Sequence, residues 1–208
     1  MFTGLIEAVG RVTEVKATGG GMRLRIRTPL ASELVPGDSL AVNGACLTVT
    51  IAEDGDVHAD IGPETARITT LGSLRRDQDV NLERPMRADS RLGGHFVLGH
   101  VDGMGTVEEI RDEGESHWLT VSFGHELAPY LIRKGSVAVD GISLTVAGLG
   151  DGRFDVMIIP FTWDHTNLKT LRTGSRVNLE IDLIARYVER MLGHNSTLRG
   201  AEADQGQR

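Results

Sequence analysis

Cys46 carries the chain's one thiol, within Asn43-Gly44-Ala45-Cys46-Leu47-Thr48-Val49, a segment that returns as Asp140-Gly141-Ile142-Ser143-Leu144-Thr145-Val146. An amide and a thiol in the first copy stand where the second has a carboxylate and a hydroxyl. Asp140 and Ser143 are the residue types with which a carboxylate orients or deprotonates a hydroxyl. His100 has the chemistry of a proton shuttle, with a hydrogen-bonded structural histidine as the alternative. No cation neighbours Cys46 in sequence, so an ordinary thiol touching ligand is expected rather than an activated thiolate. Cys46, His100, Asp140 and Ser143 are therefore the candidate catalytic residues. Similar motifs with unlike functional groups suit a protein that holds two copies of one ligand in different roles. Duplication for stability alone is the competing explanation.

The elements that must position these groups are also duplicated. Subtracting positions gives 140 − 43 = 97, and the offset persists: Ser39-Leu40-Ala41-Val42 recurs as Ser136-Val137-Ala138-Val139, and Val80-Asn81-Leu82-Glu83 as Val177-Asn178-Leu179-Glu180. Solenoid units repeat every 20 to 50 residues or so, and this period is about twice the upper end, so each copy is a whole small domain. Val9 to Val15 and Met22 to Arg27 alternate apolar and polar positions and are predicted strands. Arg23, Arg25 and Arg27 then share one face, expected to be solvated rather than an anion site. Glu53-Asp54-Gly55-Asp56 and Gly150-Asp151-Gly152-Arg153 are matching hairpin signals. Pro63 to Thr69 is a short helical turn. Arg91 to Val101 is expected to join the copies and become the first strand of the second.

Many short strands with little helix predict an all-β chain of small closed or nearly closed antiparallel barrels. A helix capped by Asp182 follows, with Leu183, Ile184, Tyr187, Val188, Met191 and Leu192 on one apolar stripe. That stripe packs either on its own barrel or on copies of itself. The predicted division is residues 1–97, 98–181, a helix at 182–194 and a polar, disordered tail at 195–208.

Bulk properties narrow the function. With 40% hydrophobic and 25% charged residues, the 208-residue chain has an ordinary globular composition. A formal charge of −7 argues against a nucleic-acid partner, and no apolar run approaches the ~18 residues of a membrane span. The first residues do not resemble a signal peptide, and a single cysteine agrees with a reducing compartment, so a cytoplasmic location is expected. No cluster of histidine and cysteine at ligand spacing predicts a metal, and no glycine-rich loop has the pattern of a nucleotide-phosphate site.

Taken together, Met1-Phe2-Thr3-Gly4, the two paired motifs, Gly93-Gly94-His95 and Gly99-His100 resemble riboflavin synthase of the alpha-chain type, over nearly the whole chain up to the terminal helix. The resemblance implies two six-stranded Greek-key barrels, each a lumazine-binding repeat, and a carboxy-terminal helix that assembles a homotrimer. It implies a transferase of riboflavin biosynthesis that needs no cofactor. Two molecules of 6,7-dimethyl-8-ribityllumazine dismutate by four-carbon transfer, giving riboflavin and 5-amino-6-ribitylaminouracil, between the first barrel of one chain and the second barrel of its neighbour. A non-catalytic lumazine or flavin carrier is the alternative on the same fold.

The resemblance also implies substrate-binding positions. In the first half these are Gly4, Leu5 and Ile6, then Ser39, Cys46, Leu47 and Thr48, then Asp60, Ile61 and Thr65. In the second they are Gly99, His100 and Val101, then Ser143, Leu144 and Thr145, then Ile158, Ile159 and Thr162, with Lys134 reaching in from a neighbouring chain. One segment departs from the family: Pro160-Phe161-Thr162-Trp163 stands where it usually has Pro-Glu-Thr-Leu, which bears on ligand affinity in that half.

Overall fold

The computed structural model describes residues 1–192. The first repeat contains β1 (Ala8–Thr18), β2 (Gly21–Arg27), β3 (Ser39–Val42), β4 (Ala45–Glu53), β5 (Asp56–Ile61), α1 (Pro63–Ile68) and β6 (Asp79–Glu83). The second contains β7 (Gly103–Glu113), β8 (Ser116–Ser122), β9 (Ser136–Val139), β10 (Ile142–Gly150), β11 (Arg153–Ile158), α2 (Pro160–Asp164) and β12 (Arg176–Ile181). Each set closes into an antiparallel barrel, ordered β1-β2-β5-β4-β3-β6 and β7-β8-β11-β10-β9-β12. The orders are identical once labels are shifted by six, so the sequence repeat is a repeat of fold.

Alternation builds the walls. Leu24 and Ile26 of β2 are fully buried, while the three arginines that alternate with them point outward. That arginine face is paired rather than merely solvated. Arg23 binds Asp60 at 2.6 Å, and Arg25 and Arg27 both reach Asp56 at 2.6 Å. The Arg27 guanidinium, followed by Arg25, holds the Asp56 carboxyl below its ordinary range against the opposing cost of burial.

Each barrel has its own apolar core, and a third cluster of Phe2, Ala41, Val97 and Ala138, with Cys46 against it, lies between them. The junction differs from expectation. Residues 91–102 form no strand, and the second barrel begins at Gly103. Val97 instead makes an isolated antiparallel bridge to Phe2, and the next three backbone N–H groups are taken by a carboxylate described below.

A buried amide network fixes one barrel against the other. Asn43 Oδ1 accepts the Asn81 N–H at 2.8 Å, and Asp140 Oδ1 accepts the Asn178 N–H at the same distance. Asn81 Nδ2 donates across to the Asp140 carbonyl at 3.0 Å, and Asn178 Nδ2 to the Asn43 carbonyl at 2.8 Å. The pattern has an approximate two-fold axis, broken where Asn167 occupies the position of Thr70 and donates to Asp140 Oδ2 at 2.9 Å. Satisfied networks of this kind fix a unique arrangement, because any slip strands buried polar groups.

Residues 183–192 are helical (α3), and Asp182 Oδ1 accepts the Ile184 N–H at 2.9 Å, as a cap should. Ile184, Tyr187, Val188, Met191 and Leu192 are each at least half exposed, so the barrel of the same chain does not cover the stripe. The end of the expected helix and the tail at 195–208 fall outside the described residues. Among the described residues no helix is long and apolar enough to cross a membrane.

Burial pushes the Asp140 carboxyl up from 3.8 to about 6, against the Asn178 and Asn167 hydrogen bonds that favour its charged form. A buried acid with a raised pKa binds its proton more tightly folded than unfolded. Its contribution to stability is fullest below the unfolded value and is lost as pH rises through the folded one. Between pH 4 and 6.5 this group should withdraw about 2 kcal/mol. Urea denaturation across that range should show the loss in the wild type, and Asp140→Asn should flatten the slope by about that amount.

Candidate functional site

Pairing of β4 with β5 runs from Glu53↔Asp56 to Val49↔Ala59 and stops. Beyond that point β4 pairs only with β3, matching Thr48 with Ser39 and Cys46 with Ala41, and β5 only with β2. The barrel wall parts into a seam. The second barrel does the same: β10 and β11 separate after Val146↔Val156, leaving Thr145 paired with Ser136 and Ile158 with His117. The helices α1 and α2 begin where each seam opens.

The seams sort the predicted residues. Thr48 and Thr145 are exposed, Cys46, Ser39, Ser143 and Ser136 are half-buried, and all six stand on one bank of their seams. Asp60 and Thr65 lie on the opposite bank of the first seam, and Ile159 and Thr162 on that of the second. The side chains of Leu47, Ile61, Leu144 and Ile158, expected to wall a ligand, face away from the seams. Strand alternation turns their side chains into the two cores, and only their backbones remain at the seam. Exposed apolar surface comes instead from Leu5 and Ile159, each 51% exposed. Asp60 is engaged by Arg23 in a two-pronged ion pair, at 2.6 and 2.8 Å.

The arms that complete the seams are crossed. Gly4, expected beside Cys46, instead has its carbonyl on the Ser143 N–H at 2.8 Å, and Ile6 packs against the second core. Gly99, expected beside Ser143, has its carbonyl on the Cys46 N–H at 2.9 Å, and Val101 packs against the first core. Residues 4–6 therefore belong to the second seam and 99–101 to the first. Both glycines have left-handed φ, +77° and +80°, and a Cβ on either would lie 2.6 Å from the Cβ of Ser143 or Cys46. Only glycine permits the approach.

Ser143 is not paired with Asp140. Its Oγ lies 2.7 Å from Nδ1 of His95, which is buried. Asp140 is occupied in the inter-barrel network, each carboxylate oxygen taking an amide N–H. Burial lowers the His95 pKa, partly offset by the negative charge of Asp182, so the ring is neutral and Nδ1 can either give or take the shared proton. His100 is exposed and is held through its backbone N–H. Lys134 is exposed and adopts a left-handed φ of +69° where the first repeat has Gly37, a strained choice for lysine. Neither seam is enclosed within one chain. Among the described residues, no group of three or more potential ligands could hold a metal ion.

The sequence profile of the Lumazine binding domain matches residues 3–85 and 98–182, one match per barrel. Riboflavin synthase from Actinobacillus pleuropneumoniae is 44% identical over 193 residues, 92% of this chain and 90% of that protein. Riboflavin synthase from Mycobacterium bovis is 45% identical over 199 residues, 92% of this chain and 98% of that one. This chain belongs to the riboflavin synthase family. Among solved structures, LumP complexed with riboflavin superposes with a TM-score of 0.82 at 26% identity, covering 87% of this chain and 99% of that one. LumP complexed with 6,7-dimethyl-8-(1'-D-ribityl) lumazine gives a TM-score of 0.79 at 26% identity, with coverages of 86% and 98%.

In this member of the riboflavin synthase family, two glutamates hold the arms, and neither was assigned a role from sequence. Glu83 Oε1 accepts the Thr3 N–H and hydroxyl at 2.7 Å, and Oε2 the Gly4 N–H at 3.0 Å. Glu180 accepts the N–H groups of Leu98, Gly99 and His100 at 2.6, 3.0 and 3.1 Å. Burial raises both pKa values while the N–H donors pull them down. The signal was available, since the repeated Val-Asn-Leu-Glu keeps two polar residues inside a strand in both copies. Glu180→Ala should strand its three donors and raise amide hydrogen exchange at Leu98 to His100 by about tenfold or more. Glu83→Ala should do so only at Thr3 and Gly4, and mass spectrometry or NMR would separate the two.

Proposed function

We infer that this chain catalyses the riboflavin synthase reaction, the dismutation of two 6,7-dimethyl-8-ribityllumazine molecules to riboflavin and 5-amino-6-ribitylaminouracil. The observation that carries this reading is that both barrels keep an open seam of the same plan with different polar groups, Cys46 in one and the Ser143–His95 pair in the other. Relatives named riboflavin synthase, at 40 to 45% identity over most of the chain, support it. A carrier needs one binding seam, whereas a reaction between two like molecules needs two that differ.

The chain's residues divide the work. Ser39, Thr48 and Thr65 in the first seam, and Ser136, Thr145 and Thr162 in the second, offer hydroxyls to the heterocycle's carbonyls and the ribityl chain, while Leu5, Ile6, Val101 and Ile159 supply apolar surface. One lumazine must lose a proton from its C7 methyl and the other must be attacked. The neutral His95, acting through the Ser143 hydroxyl, is placed to move that proton in the second seam. Holding two reactants together supplies roughly 7 to 11 kcal/mol. General acid or base assistance gives about 10²- to 10⁴-fold, so juxtaposition is the larger contribution.

Open seams need a partner surface. We place each against the opposite seam of a neighbouring chain in a homotrimer gathered by α3, with Lys134 entering from the neighbour, in the cytoplasm. The exposed stripe of α3 supports the assembly. The test is to mix purified protein with dimethylribityllumazine and follow absorbance and fluorescence. Appearance of riboflavin is expected, while a stable bound-lumazine spectrum would make the chain a carrier. Ser143→Ala and His95→Ala should each slow turnover about 10²-fold or more. Cys46→Ser should slow it less, and all three should leave ligand binding measurable; loss of binding would contradict the assigned roles.

A further inference from the structure

The bank of the second seam differs from its counterpart at three alternate positions. Asp60, Gly62 and Glu64 of the first repeat correspond, 97 residues on, to Met157, Ile159 and Phe161. In the first, both acids are tied into ion pairs, Asp60 with Arg23 and Glu64 with Arg67. In the second, the three side chains are 50, 51 and 68% exposed, an apolar run where β11 leads into α2 on the far bank of the second seam. Phe161 occupies the first turn of α2. One face of its ring stacks on His165 at a centroid distance of 4.1 Å, and its high exposure leaves the other face open.

The platform beneath it is also different. Trp163 packs on the second core and stacks on His117 at 3.9 Å with the rings 23° apart, where the first repeat has Ala66 and, paired with Ile61 as His117 is with Ile158, Met22. The His117–Trp163 stack fastens α2 to β8, so the exposed ring is carried on a braced turn. A rigid aromatic plate at a cleft edge is suited to a flat heterocycle, because offset stacking rewards a π-face regardless of its hydrogen-bonding edge.

We propose that the second seam holds its heterocycle by stacking on Phe161, whereas the first seam, with Glu64 at that place, does without an aromatic plate. The two sites then bind the same ring by different physics, and only one depends on position 161. This rests on the lumazine-binding reading above, and the test separates the two.

Riboflavin and dimethylribityllumazine are titrated into the full-length protein by calorimetry and fluorescence, with oligomeric mass measured in parallel. The wild type should show two classes of site per chain. Phe161→Leu and Phe161→Glu should weaken one class about tenfold and leave the other within about twofold. Phe161→Tyr should retain both, and Glu64→Ala should move neither. Unchanged binding in Phe161→Glu overturns the proposal while leaving the lumazine-binding reading intact. Both classes weakening together, with a fall in oligomeric mass, overturns it by placing Phe161 against a neighbouring copy. A wild type that binds neither ligand defeats the broader reading itself.

Discussion

Two buried carboxylates hold this architecture in a working state. Each glutamate at the end of a closing strand gathers backbone donors from the leading arm of its own half, and so holds that arm against the seam of the other half. A carboxylate kept from water is costly, and hydrogen bonds from several N–H groups are what offset that cost. The arms therefore cannot leave without exposing an unmet charge in a dry place. With the arms fixed, the glycine carbonyls meet the backbone N–H groups of Ser143 and Cys46, and the seams acquire their rims.

Around this clasp the molecule is nearly two-fold symmetric, and the departures from symmetry concentrate where chemistry is needed. The amide network keeps the barrels in register by matched bonds and is uneven where Asp140 replaces Asn43 and Asn167 replaces Thr70. The seams share strand pairing and hydroxyl positions, yet one has a thiol and the other a serine bonded to a buried histidine. Framework residues repeat because both barrels close the same way. Seam residues diverge, as the proposed reaction between two like ligands requires.

Much of this was legible in the sequence. The 97-residue offset gave two domains, alternation gave most strands of the first barrel, and the paired motifs marked the strands that carry Cys46 and Ser143. Three features were not legible, each for a physical reason. The exchange of arms is a tertiary event: Gly4 and Gly99 look alike in sequence, and nothing local states which barrel each will join. Asp140 stands three residues from Ser143, but the turn between them puts the carboxylate among amides on the molecular axis. His95, almost fifty residues upstream of Ser143, is its true neighbour. The junction alternates enough to pass for a strand, but its donors are consumed by a side chain instead of a neighbouring backbone.

The crossed arms also make each half depend on the other. Each half owns its core but borrows its rim, and the borrowed segment resembles the one it lends. A lone barrel of this design would find the missing piece most readily on an identical twin, each lending its leading residues to the other's seam. The present chain has the arrangement of such a pair joined end to end. The join keeps the partners at a fixed ratio of one to one, and so lets their linings differ without either losing the support of the other.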